Sequence, residues 1–562
     1  MTELPPGLIL ILGAVPLAFL RGWARNALAL ALPVLSFVQL LSLPSGEIVT
    51  FTLFDLTLNP VRIDTLSLAF GYIFHIAAAL GVIYAFHVRG ALEHTSALIY
   101  AGAAIGAVFA GDLLTLFVYW EVTAVASAFL ILARGTRAAY RATVRYLVIQ
   151  VGSGVILLAG IVLHYNDTGS IAFDHLGLVS PGTALIFAAF GIKCAFPLLH
   201  NWLQDSYPEA TEAGTVFLSA FTTKLAVYAL ARGYAGTEIL VLIGAVMTAF
   251  PIFYAVIEND LRRVLAYSLN NQLGFMVVGI GIGTEMSLNG TVAHAFSHIL
   301  YKALLFMSMG AVLYRVGTVK GSELGGLYKS MPWTTAFCIV GAASISAFPL
   351  FSGFISKALI ITAAADEGYV ITWLVLLFAS AGVFHHSGIK IPFFAFFAHD
   401  SGKRCQEAPW NMLLAMGITA ALCIGIGIWY QPLYDLLPYD VDYNPYTITH
   451  VVAQYQLLLF SALAFSVLMR TGLYPPELRS TNLDIDWFYR RLAPRLWRLA
   501  SARVMAAWTS LLAAASRLLT RAYVIVRQTH GPQGILARTW PTGSMVLWAA
   551  ILLGATVILF YR

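Results

Sequence analysis

The chain has 562 residues, 59% of them hydrophobic and 11% charged, with a mean hydropathy of +0.79, whereas ordinary soluble domains carry roughly 25% charged residues. That composition excludes a water-soluble globular protein, because apolar runs of about 20 residues, each able to cross a bilayer, recur along the whole length. The formal charge of +6 is concentrated in short connections and one C-terminal segment, a pattern of membrane topology and not of nucleic-acid binding.

In chain order, residues 1–94 hold N-terminal transmembrane helices. The first apolar run, from Pro6, lacks the basic flank and small-residue cleavage site of a removable signal, so it is expected to span the membrane. Further apolar segments, among them 95–110, 112–133, 144–165, 183–203, 211–232, 264–283 and 291–314, bring the expected total to about 16 helices of an all-α polytopic membrane protein. The run from Pro332 to Ala365 is too long for one crossing and contains Pro349 and Gly353, which predicts a broken helix. Ala195-Phe196-Pro197-Leu198 reappears as Ala347-Phe348-Pro349-Leu350, an internal echo expected of proline-interrupted spans in a repeated transporter. Additional helices fill 401–470, and a terminal span occupies 542–562.

Residues 471–541 differ: with Arg470 they carry eleven arginines and no lysine, interleaved with Trp, Leu and Ala. The spacing predicts a basic amphipathic helix on the order of 60 Å long at about 1.5 Å per residue, lying at the cytoplasmic surface against lipid headgroups or a partner subunit. A hairpin of two shorter helices is the alternative. Arg21, Arg25, Arg89, the Arg134 to Arg145 group, Arg262, Arg263, Arg315, Lys320, Lys329, Lys403 and Arg404 fall in alternate loops, which places those loops inside and the N-terminus outside.

A charge at the bilayer centre is costly, so each intramembrane ionisable group asks for a partner or a wet path. Glu121 lies inside an apolar span, and Lys193 is the natural candidate to compensate it. Lys224 lies too far from either end of its span to snorkel, and a buried lysine can exchange a proton near neutral pH. His294, His298 and Lys302, at i, i+4 and i+8, align on one helix face and form a candidate relay. Two histidines at this spacing suit a metal as well, but no carboxylate or thiolate stands on that face.

Lys357 follows the Pro349 and Gly353 interruption. His385, His386 and Lys390 extend the polar axis, with Lys390 equally placed to anchor a helix end. Asp205, Glu209 and Glu212, after His200, are expected to solvate a cytoplasmic mouth. Gly279, Gly281 and Gly283 have no strand before them and read as close helix packing rather than a dinucleotide loop. Cys194, Cys338, Cys405 and Cys423 form no C-x-x-C pair, so no metal, iron–sulfur or other cofactor is expected.

The runs Phe117 to Glu121, Lys193 to Leu203, Thr223-Lys224, Asp260 to Ser268 and His294-x3-His298-x3-Lys302 resemble the antiporter-like subunits of respiratory complex I, membrane hydrogenases and Mrp-type Na+/H+ antiporters, the D subunit most of all. The match covers roughly 95–400. The resemblance implies two inverted five-helix repeats, at 95–257 and 258–400, each with a broken helix. It implies that Glu121 and Lys193 form a coupling pair, Lys224 a central relay, His294, His298 and Lys302 a connection, and Lys357 the group at the second break.

The turn Tyr207 to Ala213 is more acidic than that family's pattern, and the C-terminal extension looks more like the largest antiporter-like subunit of complex I. The implied function is proton translocation within a multisubunit cation/proton antiporter of a bacterial inner membrane, with other membrane subunits as partners and protons, with or without Na+, as cargo. The alternatives are a proton-pumping module of a redox enzyme, a membrane energy-coupling partner of a soluble enzyme such as an inorganic-carbon uptake system, and a scaffold whose buried charges only hold helices together.

Overall fold

The computed structural model describes residues 4–54, 56–474, 482 and 484–561, in two compact units, Met1–Asn482 and Leu483–Arg562. Among the described residues, 13 helices are long and apolar enough to cross a membrane, and Pro6–Leu17, Pro181–Lys193 and Pro332–Ile345 are shorter apolar helices. The protein is therefore a polytopic helical membrane protein. One departure from the all-α expectation is an antiparallel hairpin of Gly46–Leu53 and Leu56–Ile63. The alternation of Val49, Phe51 and Leu53 with Thr50 and Thr52 is a period-2 pattern that suits a strand.

Two helices break in the same way. Pro181–Lys193 starts from a Ser180 cap closed reciprocally with Thr183, and the chain resumes as Asn201–Ser206. Pro332–Ile345 resumes as Ser352–Asp366. In the first gap Ala195 and Leu198 adopt φ of 61° and 71°; in the second Ala347 and Leu350 adopt 59° and 74°. A left-handed non-glycine residue costs roughly 1–2 kcal/mol, so this backbone is held from outside by its surroundings.

The prolines cannot continue a helix. The residue before each folds back instead: Phe196 N–H donates to Gly191 O at 3.0 Å and Phe348 N–H to Ala343 O at 3.1 Å. The four-residue echo is thus one turn built twice. Glu212–Ala220 with Thr222–Tyr234, then Ile239–Ile257, Leu261–Ile282 and Glu285–Val316, lie between the two broken helices. Counting Glu212–Ala220 with Thr222–Tyr234 as one, four helical segments thus separate the two breaks.

Ile239–Ile257 packs tightly on Leu261–Ile282 because glycines face each other. A Cβ on Gly244 would fall 2.7 Å from Gly274 O, and one on Gly281 would fall 2.5 Å from Val241 N. The glycine run serves close helix packing. Beyond the second break, Val370–Val383 widens into π-helical turns at Phe384–Ile389 and Phe393–Phe397, a geometry that loosens the helical hydrogen-bond ladder.

In the second unit, Ala493–His530 is one helix of 38 residues, not a hairpin. At about 100° per residue, Arg495, Arg498, Arg503, Arg517, Arg521 and Arg527 fall within an arc of about 140°. Trp497, Val504, Trp508, Leu511 and Leu518 occupy the opposite side, and all five are exposed. Thr542–Phe560 is an apolar helix of 19 residues.

Candidate functional site

The first break puts Lys193 at the end of its half-helix, fully buried. Its Nζ donates to Trp120 O at 2.6 Å and to Thr123 Oγ1 at 2.9 Å, and lies 4.3 Å from the centre of the Trp120 ring. Trp120 is fixed in turn by Nε1 donating to Ser153 Oγ at 3.1 Å. Glu121, the next residue on Leu113–Leu132, feels the charge of Lys193, yet among the described residues no ion pair within 4.0 Å joins them. Instead its carboxylate fills the space left by Gly154, where a Cβ would fall 1.4 Å from Oε1. The lysine is satisfied by a carbonyl and a hydroxyl, and the carboxylate is left with one oxygen, Oε1, that no group among the described residues bonds.

Lys224 stands just after another interruption, at Phe221 (φ −103°, ψ −67°), where Glu212–Ala220 gives way to Thr222–Tyr234. Its Nζ donates across that break to Ser219 O at 2.6 Å. On the same face two turns later, Arg232 grips both oxygens of Asp64 at 2.8 and 2.7 Å and donates through Nε to Tyr228 Oη at 2.8 Å. Asp64 lies outside the spans, capping Thr65–Tyr84. Burial works to raise its pKa, but the Arg232 charge and the Ser67 donors prevail and hold it below the ordinary aspartate value.

His294, His298 and Lys302 share one face of Glu285–Val316 and are all fully buried. The two imidazoles stack with centroids 6.0 Å apart. His294 Nδ1 meets Ser356 Oγ at 3.1 Å and its Nε2 meets Tyr301 Oη at 3.4 Å; Tyr301 donates to Gln272 Oε1 at 3.2 Å. Among the described residues, neither nitrogen of His298 nor Nζ of Lys302 has a protein hydrogen-bond partner. Leaving such buried groups dry costs about 1–3 kcal/mol each, so the geometry favours water between them. His298 and Lys302 both stand in the field of Lys224 and Lys357.

Lys357 Nζ donates to Ile345 O at 2.7 Å, across the second break, and faces the Phe275 ring at 5.3 Å. His386 Nδ1 meets Ser387 Oγ at 2.8 Å, and Ser387 donates to Ser268 Oγ at 2.8 Å. Lys390 donates to Val256 O at 2.6 Å and Glu258 O at 2.7 Å, fixing the end of Ile239–Ile257. His385 is drawn away among the rings of Phe465 and Tyr474.

The acidic turn is built around arginines. Asp205 accepts from Arg145 at 2.6 and 3.0 Å, Glu209 lies 3.7 Å from Arg134, and Glu212 lies 3.5 Å from His87. Arg262, buried, donates to the carbonyls of Tyr207, Pro208, Ala210 and Thr211 at 3.0 to 3.3 Å, and to Thr215 Oγ1. It holds the turn from behind. Sequence reasoning placed Arg262 only as a loop cation.

Sequence reasoning also missed Glu93, buried in Ala91–Phe109 and accepting from Thr211 Oγ1 at 2.5 Å. The amides of Asn270, Asn271 and Gln272 escaped it too, although Ser268 to Gln272 is a visible polar run in an apolar span.

A family model described as NADH:quinone oxidoreductase/Mrp antiporter, TM, matches residues 110–384. The D subunit of the Na+/H+ antiporter of Alkalihalophilus pseudofirmus is 30% identical over 353 residues, 59% of this chain and 71% of that protein. Hydrogenase-4 component B of Escherichia coli is 28% identical over 359 residues, 56% of this chain and 53% of that protein. A chain of the Mrp complex from Dietzia sp. superposes with a TM-score of 0.65 at 21% identity, covering 82% of this chain and 95% of that one, a likeness of fold.

Proposed function

The chain belongs to the NADH:quinone oxidoreductase/Mrp antiporter transmembrane family, and from that premise we propose that it moves protons as one membrane subunit of a multisubunit Na+/H+ antiporter. The observation that carries this reading is the set of titratable groups, buried except for the half-buried Glu121, with unwound backbone at each end: Lys193 and Glu121, Lys224, His298 with His294 and Lys302, and Lys357. Unwound backbone at membrane depth is tolerated where protein or water meets it, and histidines and desolvated lysines are groups that load and release protons.

In this mechanism a proton taken up at the acidic turn reaches Lys224. Its ammonium already leans on a carbonyl freed by the Phe221 break, so losing a proton costs one hydrogen bond and relieves a buried charge. His298, with both nitrogens unclaimed by protein, passes the proton toward Lys302 or Lys357. Glu121 and Lys193 bias the first step electrostatically, since a change of charge on either alters the field at the other. The bacterial inner membrane, with the arginine-bearing loops inside and the N-terminus outside, is the setting this reading requires.

The test uses the native assembly in proteoliposomes under a pH gradient. Lys224→Ala is expected to cut Na+-dependent proton flux at least about tenfold, equal to roughly 1.4 kcal/mol or more in barrier; flux at the unmodified rate would refute the relay. The likeness to Hydrogenase-4 component B favours a second reading, a proton-pumping module of a redox enzyme. Mass spectrometry of the purified assembly separates them: small hydrophobic subunits alone support the antiporter, and flavin or iron–sulfur subunits support the redox enzyme. A soluble zinc protein would make the same path the power supply of an enzyme such as an inorganic-carbon uptake system.

A further inference from the structure

The connection between Pro6–Leu17 and Gly22–Leu41 and the segment that follows Thr65–Tyr84 border an open pocket of about 710 Å³. Arg21, Arg25, Arg89 and His87 line it, and among the described residues no carboxylate does. Among the described residues, none of the three guanidiniums forms an ion pair.

Arg25 is only 5% exposed. Its Nη2 donates to Arg89 O at 2.7 Å, but among the described residues its Nε finds no protein acceptor. Asn26 donates from Nδ2 to Phe86 O at 3.0 Å and keeps an unpartnered Oδ1. Three arginines line one pocket, and burying one of them carries a desolvation cost that an anion would offset. Trp23 lines the pocket and is 83% exposed, as tryptophans are where a membrane surface meets water, and Phe19, two residues before Arg21 in the same connection, is equally exposed.

We propose that this pocket binds the phosphate of an anionic phospholipid, with the guanidiniums of Arg21, Arg25 and Arg89 on the phosphate and Phe19 and Trp23 against its glycerol and upper acyl chains. A planar guanidinium suits phosphate geometry better than an ammonium does, and the pocket contains no lysine. Basic pockets between spanning helices hold lipid headgroups by this chemistry. His87 forms the inner wall and lies 3.5 Å from Glu212, so a bound headgroup stands one side chain away from the acidic turn.

The test does not depend on transport. The purified assembly is delipidated and exposed to phosphatidylcholine vesicles with or without phosphatidylglycerol, then retained lipid is measured by native mass spectrometry and melting by intrinsic fluorescence. Wild type is expected to retain phosphatidylglycerol and to melt higher in its presence. Arg25→Gln, and separately the exposed pair Arg21→Gln with Arg89→Gln, which spares the buried contact, are expected to retain about tenfold less, as for loss of a charge-assisted contact.

Arg137→Gln with Arg141→Gln, two exposed arginines elsewhere, is expected to retain as much as wild type. Equal retention by wild type and the Arg21, Arg89 variant overturns the proposal, and so does an equal loss in the Arg137, Arg141 variant, which would make the attraction diffuse. Inorganic phosphate that raises melting in phosphatidylcholine alone as much as phosphatidylglycerol does would assign the pocket to a soluble anion and overturn the lipid.

Discussion

The turns Ala195 to Leu198 and Ala347 to Leu350 have the same backbone but draw their cation from opposite directions. Lys193 precedes the first by two residues and reaches outward to Trp120 O. The residue two before Ala347 is Ile345, and its carbonyl is met by Lys357, ten residues beyond Ala347. Ten residues beyond Ala195 stands Asp205, committed to Arg145. The fold thus places a cation beside each stretch of unwound backbone without fixing which residue supplies it. The surroundings differ as well: Glu121 shares the field of Lys193, whereas Lys357 has an aromatic ring, a carbonyl and the imidazole of His294 around it.

The sharpest way to break this comparison is to move the cation. Lys357→Met is expected to lower proton flux by about tenfold or more, and Ile345→Lys added to it, which gives the second turn the arrangement of the first, is expected to recover part of the loss. A folded double variant as inactive as Lys357→Met would show that the two turns are not interchangeable. A smaller effect belongs to the carboxylate. Gly154→Ala forces Glu121 out of its place, with a cost of about 1–3 kcal/mol from overpacking, and is expected to slow flux several-fold; melting in detergent and flux in vesicles check the two parts.

A third measurement supplies the contrast of a true ion pair. Asp64 is held below its ordinary pKa by Arg232, so its contribution is present above the unfolded value near 3.8 and is lost as pH falls through the folded one. Asp64→Asn is therefore expected to melt below wild type at neutral pH, with the gap closing under acid. The smallest effect tests the turns themselves. Ala195→Gly and Ala347→Gly each relieve left-handed strain but add chain entropy, so each is expected to shift stability by less than about 1 kcal/mol, and by the same amount in both.

The helical membrane fold was legible because lipid demands apolar runs, and the second break was legible because Pro349 and Gly353 interrupt one. The first break was visible only as a four-residue echo, since its flanks read as one continuous apolar segment. The Glu47 to Asp64 stretch folds as a hairpin whose alternation is carried by a few residues. Lys193, Lys224 and the histidines stood out as charges in apolar spans. Their partners did not, because Trp120, Ser219 and Ile345 act through backbone carbonyls, which every residue carries. Gly154 was silent for the same reason: its role is the room it leaves.

Arg262 shows how a conducting line can be held in place without being tapped. It binds four carbonyls of the turn that leads toward Lys224, a task an ammonium could share. A guanidinium, however, keeps its proton at any physiological pH, so it works as an insulator: charge that fixes geometry and never becomes current. Where the chain needs a station it uses lysine or histidine; at this strut it uses the cation that cannot leak.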